Sequence, residues 1–283
     1  MSSRIGIAAV LTAAAVAVAW VFPASAQFDR SGPDGSTPVA LARKLDQPVA
    51  PELMSTLARA SRRGLAFRGK PAATDLAAIS GPRLTSDGKV GLLYVGADFC
   101  PYCAGERWGL MLALMRFGKL NGLRYMLSTA HDVYPNTPTV TFQHASYQSP
   151  YVAFQAVEIA DRTGHPLATP SASQMKIFSV FDAPPYTRFA EAIPFAYLDG
   201  KYRLNQLLVL PPPLSGHDWQ QVATALADPD SSLFRSVMPR VNLLTAAICH
   251  LDGGKPVDVC TAPGVKAASR VLAGLHAKAP QPR

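Results

Sequence analysis

The chain has 283 residues, 48% hydrophobic and 16% charged, which suffices for one large or two small domains with a real core. Its net charge of +8 is scattered except at Arg59, Arg62, Arg63, Arg68 and Lys70. That cluster reads as a solvated helix face and loop, with an anionic membrane surface or an acidic partner as the alternative. The sequence holds no basic-aromatic interleaving suited to nucleic acid, no glycine-rich phosphate loop and no nucleophile elbow to accompany His131-Asp132.

Residues 1–26 read as an export signal. Arg4 supplies the positive start, Ile5 to Phe22 is apolar, and Pro23-Ala-Ser-Ala26 offers a small-residue cleavage site. An uncleaved membrane anchor is the competing reading, because such a stretch is borderline for spanning. Either way the rest of the chain is expected outside the cytoplasm, periplasmic or secreted, where disulfides form. Residues 27–85 read as an N-terminal lead, flexible over Gln27 to Thr37, with one short helix, Ala50 to Ala60.

Residues 86–230 are expected to form an α/β domain. A turn at Ser86-Asp-Gly opens it, and a hydrophobic run from Gly91 to Phe99 reads as a strand. Cys100-Pro-Tyr-Cys103 joins that strand to a helix, Ala104 to Phe117, and Leu123 to Thr129 is the next strand candidate. Strand, helix and strand are expected to form a right-handed parallel βαβ unit. An insertion over about 130–190 carries two alternating runs, Thr139 to Tyr147 and Tyr151 to Ile159, expected to pair as a hairpin. A helix from Ser171 to Val180 follows. Ala192 to Leu198 is a strand entered through Pro194; Asp199-Gly200 turns it into a returning strand, Lys201 to Val209. Ser215 to Ala227 reads as a helix. Residues 231–283 hold two more, Leu233–Leu251 and Pro263–His276, expected to pack on the domain.

The four cysteines allow three pairings, of which sequence distance favours Cys100–Cys103 and Cys249–Cys260. A Cys-x-x-Cys at a strand-to-helix junction suits dithiol–disulfide exchange. Free backbone N–H groups and the helix dipole favour thiolate at the first cysteine, and the second lies close enough to resolve a mixed disulfide. Cys100 is therefore expected to be the attacking, more exposed thiol and Cys103 the buried resolving one. An inert bridge and a zinc site are the alternatives, although the second cysteine spacing is wrong for a zinc ribbon. No metal or other cofactor is expected. Glu106 is read either as an acceptor for the Cys103 proton or as a local ion-pair partner of Arg107; Asp98 as a cap of the junction; Trp108 as core. Cys249 and Cys260 read as a structural staple, with an electron-shuttling pair as the alternative.

Ile193-Pro194, opening a strand that ends in a tight hairpin, adds a second element. Together with the cysteine pair it resembles the thioredoxin superfamily, in which a cis-proline packs against the Cys-x-x-Cys and adjacent backbone pairs with an extended substrate. The stretch from Tyr94 to Trp108, Ala113 to Gly118, Asp132 to Thr139, Tyr147 to Tyr151, Val157-Glu158 and Ile193 to Phe195 resembles one thioredoxin-like family, domain of unknown function 929. Asn242 to Cys249 and Pro256 to Cys260 fit it as well. The resemblance implies a thioredoxin-like fold with an inserted hairpin and helix segment, extra C-terminal helices, and a catalytic set of Cys100, Cys103 and Pro194.

The expected function is exchange of disulfides in extracytoplasmic proteins, with a membrane or periplasmic redox partner. Pro-Tyr between the cysteines, as in glutaredoxins, places the expected potential between about −230 and −120 mV. A non-catalytic binding or scaffold domain on the same frame is the rival. Catalysis requires an accessible Cys100 and a cis Pro194 beside it. A copper or haem-maturation thiol carrier is weaker, since no metal-binding His or Met is evident near Cys100.

Overall fold

The computed structural model describes residues 37–85 and 87–276. The expected export signal and most of the flexible lead lie outside the described residues, as does Ser86.

Two helices come first, α1 (Val39–Ala42) and α2 (Pro51–Ala66). Pro51 starts α2 at a position where its missing N–H costs nothing, and Leu53, Leu57 and Ala60 bury one face. Arg63 on the same helix donates to the Ala227 carbonyl at 2.6 Å, so part of the basic cluster serves packing.

The strand β1 (Leu76–Ala78) precedes β2 (Val90–Gly96), whose seven residues are all buried. A strand buried on both faces reads as a continuous apolar run. Leu92 and Tyr94 face the larger hydrophobic core, whereas Leu93 and Val95 face a smaller one. From β2 the chain passes through Cys100 into α3 (Pro101–Leu114), in which only Tyr102 is not buried. Next come β3 (Lys119–Asn121), β4 (Arg124–Leu127), β5 (Pro138–Thr141), β6 (Ser146–Gln148) and β7 (Val152–Glu158). Then α4 (Ala172–Phe181) starts from a Ser171 capping box. The hairpin of β8 (Phe195–Leu198) and β9 (Tyr202–Leu204) follows. Its turn residues Asp199 and Gly200 have φ of 44° and 77°, the left-handed pair that a two-residue hairpin turn requires. Helices α5 (Trp219–Ala227), α6 (Ser232–Leu251), α7 (Val257–Cys260) and α8 (Pro263–His276) complete the described chain.

The main sheet is mixed, in the order β1-β9-β8-β2-β7. β2 pairs parallel with β7 and antiparallel with β8. The domain is thus α/β, as expected, but two strand assignments need correction. β4 is not the parallel partner of β2; it pairs antiparallel with β5. The runs at 139–147 and 151–159 do not pair with each other either, since β6 pairs with β3 and β7 joins the main sheet. β2 is buried along its whole length because it lies inside the sheet between β8 and β7, whereas β4, half buried, belongs to a two-stranded ribbon.

Larger-core residues from α2, α3, α5, α6 and α8 pack on one side of the sheet. On the other, Ile177, Phe178 and Phe181 of α4 cover Leu93, Val95, Phe195 and Tyr197. A disulfide joins Cys249 near the end of α6 to Cys260 at the end of α7, with Cα atoms 5.6 Å apart. No described helix is long and apolar enough to cross a membrane.

Candidate functional site

Cys100 sits at the junction of β2 and α3 and is itself the N-cap of the helix. Its sulfur accepts the Cys103 N–H at 3.2 Å, filling the place of an ordinary Ser or Asp cap. Pro101 then occupies the first helical turn. Asp98, expected to cap, turns instead toward Arg107. Both thiols are free.

Burial presses the Cys100 thiol toward its neutral form. Hydrogen bonds from the Cys103 thiol and amide, the Arg107 charge and the Tyr102 amide outweigh it and hold the thiol below its ordinary value. Cys103 goes the other way. Burial first, then its hydrogen bond to the Cys100 sulfur, push it well above the ordinary value. The pair is therefore electrostatically asymmetric, with the stabilised thiolate on the first cysteine.

The positive charge near the pair is anchored by β7 and by the turn that follows β2. Arg107 is fully buried and makes a two-pronged contact with Glu158 of β7, at 2.8 and 2.7 Å. A single 3.2 Å contact reaches Asp98. Glu158 and Asp98 thus do not share Arg107 equally. Burial and repulsion from Glu158 raise the Asp98 carboxyl to about 7 despite the Arg107 contact. Glu158 went unassigned at the sequence level, because nothing local links it to a helix 51 residues away.

Pro194 meets one half of the sequence criterion. The Ile193–Pro194 peptide is cis, and the Ile193 carbonyl lies 3.9 Å from the Cys100 sulfur. The other half is not met. Cys100 is only 5% exposed, against 0% for Cys103, so the order of exposure is the expected one but the first thiol is buried. The backbone at Ile193 lies against its sulfur. Tyr102, packed edge-on against Tyr134, remains 40% exposed at the rim.

Glu106 fits neither role expected of it. Its Oε2 accepts the Leu208 amide at 2.8 Å, and its Oε1 is buried without a partner. The cause is backbone contact. A Cβ at Gly105 would collide with the Val209 carbonyl and one at Gly109 with Leu208, so these glycines let the 208–209 segment lie directly on α3. Trp108 is core, with its ring N–H donated to the Pro138 carbonyl at 2.8 Å. Among the described residues no group of three His, Cys, Asp or Glu could hold a metal ion.

A family model described as Domain of unknown function (DUF929) matches residues 75–177, which include β2, the cysteine pair, α3 and β7. Neither the curated proteins nor the solved structures gave a match.

Proposed function

We propose that the protein is an exported thiol–disulfide oxidoreductase on a thioredoxin-like frame, acting on extracytoplasmic proteins through Cys100 and Cys103. The observation that carries this reading is geometric: the Cys100 sulfur caps α3 by accepting the Cys103 amide at 3.2 Å and has the Ile193 carbonyl 3.9 Å away, in surroundings that favour thiolate on Cys100 and thiol on Cys103. The frame supports it. The cysteine helix leaves β2, whose parallel partner is β7, and the proline strand β8 runs antiparallel on its other side.

In the proposed cycle the Cys100 thiolate attacks one sulfur of a partner disulfide. The partner S–S bond breaks, its other sulfur leaves as thiolate and takes a proton, and a mixed disulfide forms. Cys103 then gives up its proton and attacks the Cys100 sulfur, releasing the second partner thiol. Two electrons have passed from the cysteine pair to the partner, and the reverse sequence oxidises one. A membrane or periplasmic redox partner would reset the pair.

One observation favours the non-catalytic scaffold instead: Cys100 is buried where exchange requires it accessible, so the proposed cycle needs the Ile193 backbone to move off the sulfur first. The reduction potential separates the two readings. The oxidoreductase reading expects a value between about −230 and −120 mV, with adducts trapped by Cys103→Ala in extracytoplasmic extract. A potential below about −300 mV and no adducts would leave the scaffold.

A further inference from the structure

A polar pocket of about 210 Å³ opens beside Pro194, whose neighbour Ile193 contacts the Cys100 sulfur. Glu106 and Asp182 line it, together with Phe195 and Arg203. Glu106 is 2% exposed, and its Oε1 is buried without a partner. Asp182 is 5% exposed and its Oδ2 is likewise buried and unpartnered. Arg203 acts on Asp182 through its charge, but its Nε donates to the Phe181 carbonyl and its Nη1 to Leu204 and Asn205. A buried carboxylate oxygen lacking a donor costs free energy, which a ligand bringing N–H groups recovers.

We propose that this pocket is a subsite for a basic side chain, an arginine guanidinium above all, of the polypeptide whose cysteine engages Cys100. The inference rests on the exchange reading and adds a substrate class to it. A planar guanidinium offers several N–H donors in a fixed fork, suited to two carboxylates around one pocket. A metal ion is disfavoured, because the described residues supply no third ligand of the usual kind. The carboxyls are held above their ordinary range, Glu106 at about 7 and Asp182 at about 6, in both cases by burial first. A bound cation would draw both back down.

The spacing sets a register. Glu106 lies six residues along α3 from Cys100, roughly 9 Å at the helical rise. An extended peptide covers that distance in about three residues. That rise is a lower bound on the path, so the basic residue is expected about three or more positions from the reacting cysteine.

The test measures how fast Cys100 of the full chain, in a Cys103→Ala background, reacts with activated disulfides of short peptides. The peptides carry arginine, its neutral isostere citrulline, or alanine, about three or more positions before or after the cysteine. Arginine in one register is expected to react about tenfold faster than citrulline, the worth of a charge-assisted contact. That ratio is expected to fall toward one in Glu106→Gln and in Asp182→Asn, each checked for native unfolding behaviour. The net charge of +8 would repel a cationic peptide, so general attraction cannot produce the preference. Equal rates for arginine and citrulline in every register would overturn the subsite while leaving exchange intact. No reaction with any peptide would overturn exchange and the subsite with it.

Discussion

Cys249 and Cys260 close a short loop between the end of α6 and α7. Cys100 and Cys103, one helical turn apart, stay unjoined at the start of α3. The surroundings differ more than the bonding. The bridged pair packs among apolar residues such as Ala246, Val259 and Leu272. The free pair lies near a guanidinium held by carboxylates from two other segments. A staple needs only proximity, whereas a reactive dithiol needs an electrostatic difference between its two sulfurs. The first pair has the elements for that.

Breaking each pair in turn gives the largest contrast. Cys100→Ser is expected to reduce disulfide exchange to background. The double variant Cys249→Ala with Cys260→Ala is expected to keep exchange per folded molecule within about twofold, a small change beside the loss of a covalent nucleophile. An insulin-type reduction assay reads both. If the double variant loses exchange while still folded, the second pair is a shuttle and the contrast collapses.

Arg107→Met tests what lies under the free pair. It strands Glu158 and Asp98 in the core without their shared cation, at an expected cost of about 3–5 kcal/mol in urea unfolding. The same change removes a charge that favours the Cys100 thiolate, so the pH midpoint of Cys100 reactivity is expected to rise. A lower midpoint would contradict the assigned role. Removing the second bridge in the double variant is expected to cost roughly 3 kcal/mol, from the entropy of a loop of this length. Chemical denaturation under oxidising conditions gives that number directly.

Glu106 supplies the smallest effect. Burial raises its folded value to about 7 from an ordinary 4.5, so the folded chain holds this proton more tightly than the unfolded chain. Its contribution is therefore present at low pH and declines as pH rises from about 4.5 through about 7. Glu106→Gln is expected to flatten that slope by on the order of 1–3 kcal/mol across the window. An unchanged slope, followed by thermal unfolding at several pH values, would show that Glu106 is not the titrating group.

The cysteine helix, the proline strand and the Asp199-Gly200 turn were legible because each is written in neighbouring residues. Strand partnership was not. β4 and β7 both carry strand-like patterns and both are partly buried, so nothing local says that β7 lies beside β2. The same holds within the site. Arg107 looked like a partner for its neighbour Glu106, but consecutive helical residues point about 100° apart. Arg107 faces β7, whereas Glu106 faces the 208–209 backbone. Gly105 and Gly109 were the available signal for that close approach, and they were read only as part of a helix. Cys100 is the more exposed of its pair but is still buried, because the segment that covers it arrives from Ile193, 93 residues away.

The most direct measurement is native-state alkylation of each cysteine across pH, read residue by residue by mass spectrometry on the protein with its first pair reduced. The account predicts that Cys100 reacts first, with a midpoint below the ordinary thiol value of 9.0. Cys103 would react only on unfolding, and Cys249 and Cys260 only once their bridge is reduced. If Cys100 stays as protected as Cys103 until the chain unfolds, or Cys103 reacts first, the assigned asymmetry is wrong and the first pair is not an exchange site.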